Sequence, residues 1–264
     1  MKKILFLVWG VALLGLSSCV DFDNWAEPDC SWTGTVIDVY TDQPLLSSQN
    51  DWQMRIWEKS WDGHEEGAVT NQDLRIKQDG TYQNTKLFAG TYDMLPYNGP
   101  FWPMDTIKGL ELKKNLNHDF KVTPYVQVVD YKAELVSKDD KYYVRMSFKV
   151  RAPLLEKDGT AIRRLYEMRP FLSLTAYCGA GSNSSIGLQE YNEHVRIRPA
   201  NNNDNSWATL ISKGPGNNTT PEYQFNDMEV KKGYTYYVRV GAAVDDTHRK
   251  HSYSEITKIE VPRQ

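Results

Sequence analysis

Cysteine and histidine are scarce, three and five among 264 residues, and neither is spaced like a metal-ligand set. No Cys-x-x-Cys pair and no His-Glu-x-x-His segment occurs, which removes the common zinc frameworks. A glycine-rich phosphate loop and a Gly-x-Ser-x-Gly elbow are missing too, so neither a nucleotide cofactor nor a hydrolase nucleophile is indicated. Charge of one sign is not in excess. The 31 basic and 34 acidic residues are interspersed, and no basic stripe could follow a nucleic-acid backbone, so nucleic acid is not an expected partner. Glu65-Glu66 and Asp139-Asp140 are adjacent acids whose side chains diverge, whereas a glycosidase needs two facing each other across ~5–9.5 Å. His248 and His251, near Asp245 and Asp246, could form a metal cluster, but a solvated charged turn accounts for them better. The chain is therefore expected to be no enzyme and to need no cofactor or metal.

Long apolar runs are also lacking, with one exception at the N-terminus. Met1-Lys2-Lys3 starts positive, residues 4–16 are apolar, and Leu16-Ser17-Ser18-Cys19 follows. Roughly 13 residues cannot span a ~30 Å hydrocarbon core but suit a cleavable signal. Small residues ahead of Cys19 predict cleavage before it, once its thiol carries a diacylglyceryl group. Each buried methylene contributes ~0.8 kcal/mol, so the added palmitate-type chains would make the attachment durable. Residues 1–18 are thus read as signal peptide and 19–30 as a lipidated acidic tether. Asp21 and Asp23 behind Val20 partly resemble the signal that sends Bacteroidetes lipoproteins to the outer face of the outer membrane; a plain solvated linker reads equally well. The expected location is that outer face, with the periplasmic face as the alternative. Removal of Lys2 and Lys3 leaves 29 basic residues against 34 acidic ones, a balance of −5. With Cys19 lipidated, Cys30 and Cys178 remain, better read as buried free thiols than as a disulfide.

Beyond the tether the pattern is alternation and turns. Trp52, Met54 and Ile56 alternate with Gln53, Arg55 and Trp57, as in a strand with one buried face. Thr33 to Tyr40 alternates likewise, Asp79-Gly80 predicts a hairpin turn, and residues 87–94 a strand entered through a glycine corner. The polar stretch 60–73 reads as an inserted loop. Later strands are expected over 126–135, 142–150, 171–177, 234–242 and 252–261, with a helical turn over 163–168. The fold predicted is all-β, two β-sandwich domains in tandem at 31–124 and 125–264.

Gly34-Thr35-Val36-Ile37-Asp38, Thr41-Asp42-Gln43-Pro44, Asp79-Gly80-Thr81-Tyr82 and Leu87-Phe88-Ala89-Gly90-Thr91-Tyr92 follow in order. This succession resembles the carboxypeptidase-regulatory-like, transthyretin-type β-sandwich over residues 31–105. Gly233 to Val240 with Tyr253-Ser254 is similar to an immunoglobulin or fibronectin III-like domain. The whole chain resembles two-domain Bacteroidetes outer-membrane lipoproteins of unknown function, which accompany SusC/SusD-type glycan uptake systems. That resemblance implies fold and location far more than activity.

Aromatic residues make up 12% of the chain, including eight tryptophans. Sugar rings stack their C–H faces on flat side chains while polar neighbours take the hydroxyls. Trp57 lies opposite the presumed core face, Trp61 opens the insert, Trp102 sits in a Pro/Gly segment and Trp207 follows an Asn-rich loop. These four are the candidate ligand residues, each with packing as its competing role, and Trp52 is assigned to the core. Asp105-Thr106-Ile107 resembles the O-glycosylation acceptor of exported Bacteroidetes proteins, at Thr106. The predicted function is a non-catalytic surface lipoprotein that binds polysaccharide within an uptake system. Its alternative is a scaffold subunit on an outer-membrane transporter or lipoprotein complex; a glycan-active enzyme ranks third.

Overall fold

The computed structural model describes residues 27–60, 70–181, 196–199 and 206–263. The fold is all-β, built of sheets packed in pairs, with most strand pairings antiparallel. Strict alternation in β1 (Cys30–Asp38) turns Trp32, Gly34 and Val36 inward. β1 pairs with β2 (Gln43–Pro44) and β5 (Thr81–Leu87), and runs parallel to β8 (Asn115–Asn117) and β9 (Phe120–Val122). Against it packs a sheet ordered β4-β3-β6-β7, from β3 (Gln53–Glu58), β4 (Asn71–Arg75), β6 (Gly90–Tyr97) and β7 (Ile107–Leu112). The two inner faces close over Trp32, Trp52, Met54, Tyr82, Tyr92 and Phe120. Trp32 meets Tyr92 edge-on at 5.6 Å between ring centroids.

Two sequence expectations change here. Gly80, with φ +82, does make a tight turn, in which Lys77 N donates 2.8 Å to Thr81 O. The flanking β4 and β5 belong to different sheets, however, so the turn carries the chain across the sandwich instead of closing a hairpin. The polar stretch 60–73 ends as strand: Asn71 and Asp73 are in β4, polar because they alternate onto its outer face.

A second pair of sheets follows. β10 (Gln127–Lys138) and β11 (Lys141–Arg151) form a hairpin through Asp139-Asp140, both at positive φ (50 and 66), as a two-residue turn requires. β15 (Tyr223–Gln224) and β16 (Met228–Val230) add to β11. The facing sheet joins β14 (Leu165–Ser173), β17 (Thr235–Val244), β18 (His251–Tyr253) and β19 (Thr257–Glu260), and β12 (Glu156–Lys157) with β13 (Thr160–Ala161) makes a small separate hairpin. Val144, Met146, Phe148, Leu172, Val238 and Val240 fill this core.

The helical turn expected over 163–168 is absent, since from Leu165 those residues are strand. A register shift between Leu165 and Glu167, with Pro170 further on, breaks the alternation that would have identified it. Residues 252–261 divide into β18 and β19, both paired with β17. A short helix α1 (Trp207–Ser212), not anticipated, is capped by Ser206, whose Oγ accepts from Thr209 N at 3.2 Å. Among the described residues no helix is long and apolar enough to cross a membrane.

The outer face of the β14-β17-β18 sheet is covered by residues 46–51 of the first half. Ser48 Oγ accepts from Gly181 N at 2.8 Å, and Lys250 Nζ meets Asp51 Oδ1 at 2.9 Å. Gln127 Nε2 donates to Asp38 Oδ2, and Arg151 Nε donates to Gln127 Oε1 at 2.7 Å. Trp102 extends from the first half into the second core, 5.2 Å from Tyr125.

Candidate functional site

The outer face of the β4-β3-β6-β7 sheet carries a connected network of polar side chains. Alternation in β3 buries Met54 and Ile56 and turns Gln53, Arg55 and Trp57 outward. Pairing register then sets Asp73 and Leu95 beside Arg55, Asn71 and Asp93 beside Trp57, and Arg75 and Tyr97 beside Gln53. Arg55 grips Asp73 with two parallel bonds, Nε to Oδ1 at 2.8 Å and Nη2 to Oδ2 at 3.1 Å. Gln53 Nε2 donates 2.9 Å to Asp73 Oδ2, and Arg75 Nη1 donates 2.8 Å to Gln53 Oε1. Hydrogen bonding from Arg55 outweighs burial and holds the Asp73 carboxyl below the ordinary carboxylate range. Above this net the Arg55 guanidinium lies 4.0 Å from the centroid of Tyr97. Trp57, half-buried, ends the row with an amide on one flank and a carboxylate on the other. The donors and acceptors are fixed by one another before any ligand arrives, which lowers the entropy cost of binding.

A second polar cluster lies on the outer face of β14-β17-β18. Glu167, buried, has Oε1 3.2 Å from His251 Nε2, and Arg198 Nε donates 3.4 Å to its Oε2. Arg169 and Arg196 approach the same carboxylate at 3.8 and 3.7 Å. Burial alone would raise the Glu167 pKa, but the His251 bond and the surrounding positive charges bring it down to about 2. Phe171, His251 and Tyr253 converge over Gly241, where a Cβ would come within 2.9 Å of the Phe171 ring and 3.0 Å of the Tyr253 ring. Tyr166 is flanked by Arg249 at 4.2 Å and Arg198 at 5.0 Å from its centroid, and Arg198 Nη2 donates 2.9 Å to its hydroxyl. The two surfaces meet where the Tyr97 ring faces His248, 6.4 Å between centroids.

Of the four candidate tryptophans, Trp57 alone is placed on an open face of the described residues. Trp102 and Trp207 are 4% and 7% exposed and belong to the second core. Trp207 also donates its indole N–H 2.8 Å to the Arg163 carbonyl. Neither offers a ring face to a sugar, because each indole is turned inward to fill space in that core. Trp61 and Cys19 lie outside the described residues. Thr106 is half-buried just before β7, next to the exposed Asp105. His248 and His251 are divided between an exposed turn and the buried Glu167 pair, and no group of three metal-ligating side chains occurs among the described residues. Cys30 and Cys178 are free and buried in separate clusters. Asp73 and Tyr97 were not found from sequence, since only strand register shows that they adjoin Arg55 and Gln53.

Residues 31–123 match the N-terminal domain of the family described as DUF3823, protein of unknown function. No curated protein matches the chain. Among solved structures, the chain is similar to a Bacteroides uniformis protein assigned provisionally to carbohydrate binding, with 22% identity and a TM-score of 0.64. It is also similar to DUF3823 family proteins from Bacteroides uniformis (20%, TM-score 0.63) and Parabacteroides merdae (15%, TM-score 0.60). Each comparison covers 89% of this chain and the whole of the other. At these identities the likeness is one of fold.

Proposed function

We propose that this chain is a non-catalytic, lipid-anchored protein of the outer-membrane surface that holds a glycan for a polysaccharide uptake system of the SusC/SusD type. The observation that carries the reading is the outer face of β4-β3-β6-β7, where half-buried Trp57 adjoins Asn71, Asp93 and the Arg55–Asp73 net. A sugar ring laid on the indole would meet those donors and acceptors with its hydroxyls. The fold likeness to the provisionally assigned Bacteroides uniformis protein agrees with this reading. Cys19 in its signal context supports the anchor, and the membrane is the partner it implies. The order of motifs in residues 31–105 supports a carboxypeptidase-regulatory-like descent of the first sandwich, and Asp105-Thr106-Ile107 supports glycosylation at Thr106.

The test is a retardation gel of residues 20–264 through plant, host and microbial polysaccharides. Retardation by one of them, abolished by Trp57→Ala, is the expected result; free migration through all of them overturns the proposal.

A second reading, a scaffold subunit docked on outer-membrane partners, rests on Val39 and Tyr40. These neighbours at the end of β1 are 42% and 44% exposed. Copurification of the lipidated protein with a transporter, together with free migration in every gel, would select it.

A further inference from the structure

One sheet of the second half has an uncovered edge. β10 pairs with β11 on one side only, and among the described residues no other group hydrogen-bonds to its main chain. In an antiparallel strand every second residue turns its N–H and C=O away from the partner, so this edge carries a row of open donors and acceptors. Packing thins toward it as well. Val144, Met146, Phe148 and Val150 of β11 are fully buried in the second core, whereas Val128, Tyr131, Ala133 and Leu135 of β10 are only partly covered.

Edge strands are commonly kept off one another by a bulge and by lysine. β10 has both: a register shift between Val129 and Lys132, with Asp130 at φ 51, and the exposed Lys132 itself. The bulge leaves residues 132–138 in unbroken register with β11. Lys132 has Ser147 opposite it and no carboxylate at ion-pair distance among the described residues. Two residues on, the exposed Glu134 is only 3.7 Å from Arg145 Nη1, and that arginine is held more closely by Asp227, at 2.7 Å from Nη2.

A second copy of the strand, antiparallel about a two-fold axis at Ala133, answers this pattern. Lys132 then stands opposite Glu134 of the second copy, and Glu134 opposite its Lys132. Tyr131 and Leu135 meet across the same axis on the inner face and cover the thin edge of the core. An axis at Lys132 or at Glu134 would set like charges against each other. A slip by one residue would bring an exposed residue opposite a core-facing one, so charge and facing together specify the register.

We infer that β10 is the edge through which two copies of this chain pair into a two-fold dimer, with one continuous β11-β10-β10-β11 sheet. The pairing needs no ligand and stands independently of the glycan reading. A ladder centred on 131–135 is short, so association in solution is expected at about 10–500 µM. Chains held on one membrane would meet at a higher effective concentration.

Residues 20–264 are followed by sedimentation velocity from about 5 µM to about 1 mM. The expected result is a shift from monomer to dimer within that range. Lys132→Glu and Glu134→Lys should each weaken it at least about tenfold, because two attractive pairs become two repulsive ones. Lys132→Glu combined with Glu134→Lys in one chain should restore the dimer. An equimolar mixture of the two single variants should also dimerise although neither does alone, since the acids of one copy then face the lysines of the other. Thermal unfolding near the wild-type midpoint shows that the variants are folded. A wild-type chain that stays monomeric to about 1 mM overturns the inference. So does a dimer indifferent to both charge reversals, or one lost in the single variants and repaired by neither the swap nor the mixture.

Discussion

The guanidinium of Arg239 lies 3.8 Å from the centroid of the Tyr253 ring, buried where the two halves of the chain meet. From there Nη2 donates 2.7 Å to the carbonyl of Ser47, so a side chain of β17 satisfies a backbone acceptor of the first half. Tyr253 also directs its hydroxyl toward Asp51 Oδ2, 3.4 Å away.

Removing Arg239 should accordingly loosen this junction. Arg239→Ala strips a buried acceptor of its donor and leaves a void, at about 3 kcal/mol. Arg239→Met, which keeps the volume and brings no charge to bury, should cost less. Urea unfolding of the two variants measures the difference. If the alanine and methionine variants unfold at the wild-type midpoint, the junction contributes nothing.

Glu167 should govern part of the acid sensitivity. Its pKa falls from the ordinary 4.5 to about 2 in the folded chain, so the folded state favours the ionised form. A depressed carboxylate stabilises above its unfolded pKa, and that contribution fades as pH drops from about 4.5 through about 2. The amount at neutral pH is on the order of 3 kcal/mol. Glu167→Gln should show a shallower loss of stability between pH 5 and 2 than wild type, read from urea midpoints at successive pH values. Parallel pH profiles would show that Glu167 does not contribute.

Tryptophan substitutions should separate packing from binding. Trp207→Ala empties a core position and abandons the Arg163 carbonyl, costing about 3–5 kcal/mol. Trp57→Ala, half-buried on an outer face, should cost under about 1 kcal/mol and yet lose glycan retardation. Thermal unfolding alongside the gel reads both quantities from the same preparations.

Burial pushes the Cys178 thiol up to about 12, and the Cys30 thiol is raised by burial as well. Only the thiolate reacts quickly with a disulfide reagent. The soluble form 20–264 should therefore leave both thiols unmodified at pH 8 while folded, and release two equivalents once denatured. Rapid reaction of the native protein would contradict the burial of these side chains.

Much of the architecture is legible in the residues. Alternation across 52–57 assigned Met54 and Ile56 to the core and Gln53, Arg55 and Trp57 to the outside, because side chains of a strand point to opposite faces whatever the strand packs against. The Asp79-Gly80 turn was visible for a similar local reason, since few residues tolerate positive φ. The start of β14 was not visible, because a register shift and Pro170 interrupt its period.

Where each aromatic side chain ends up is a different kind of fact. Trp57 and Trp207 both sit beside polar residues in the sequence, and one lies on an open face while the other fills the second core. Nothing local separates them, since burial depends on which remote strand closes over the ring. The Arg55–Asp73 net, the meeting of Tyr97 with His248 and the stacking of Arg249 and Arg198 on Tyr166 depend in the same way on strand register and on how the halves abut. By itself the sequence determined the strand periodicity, the turns and the signal-like N-terminus, all set by chemistry within a few residues. The site was decided only by tertiary structure, because its members are distant in the chain and adjoin through pairing and packing.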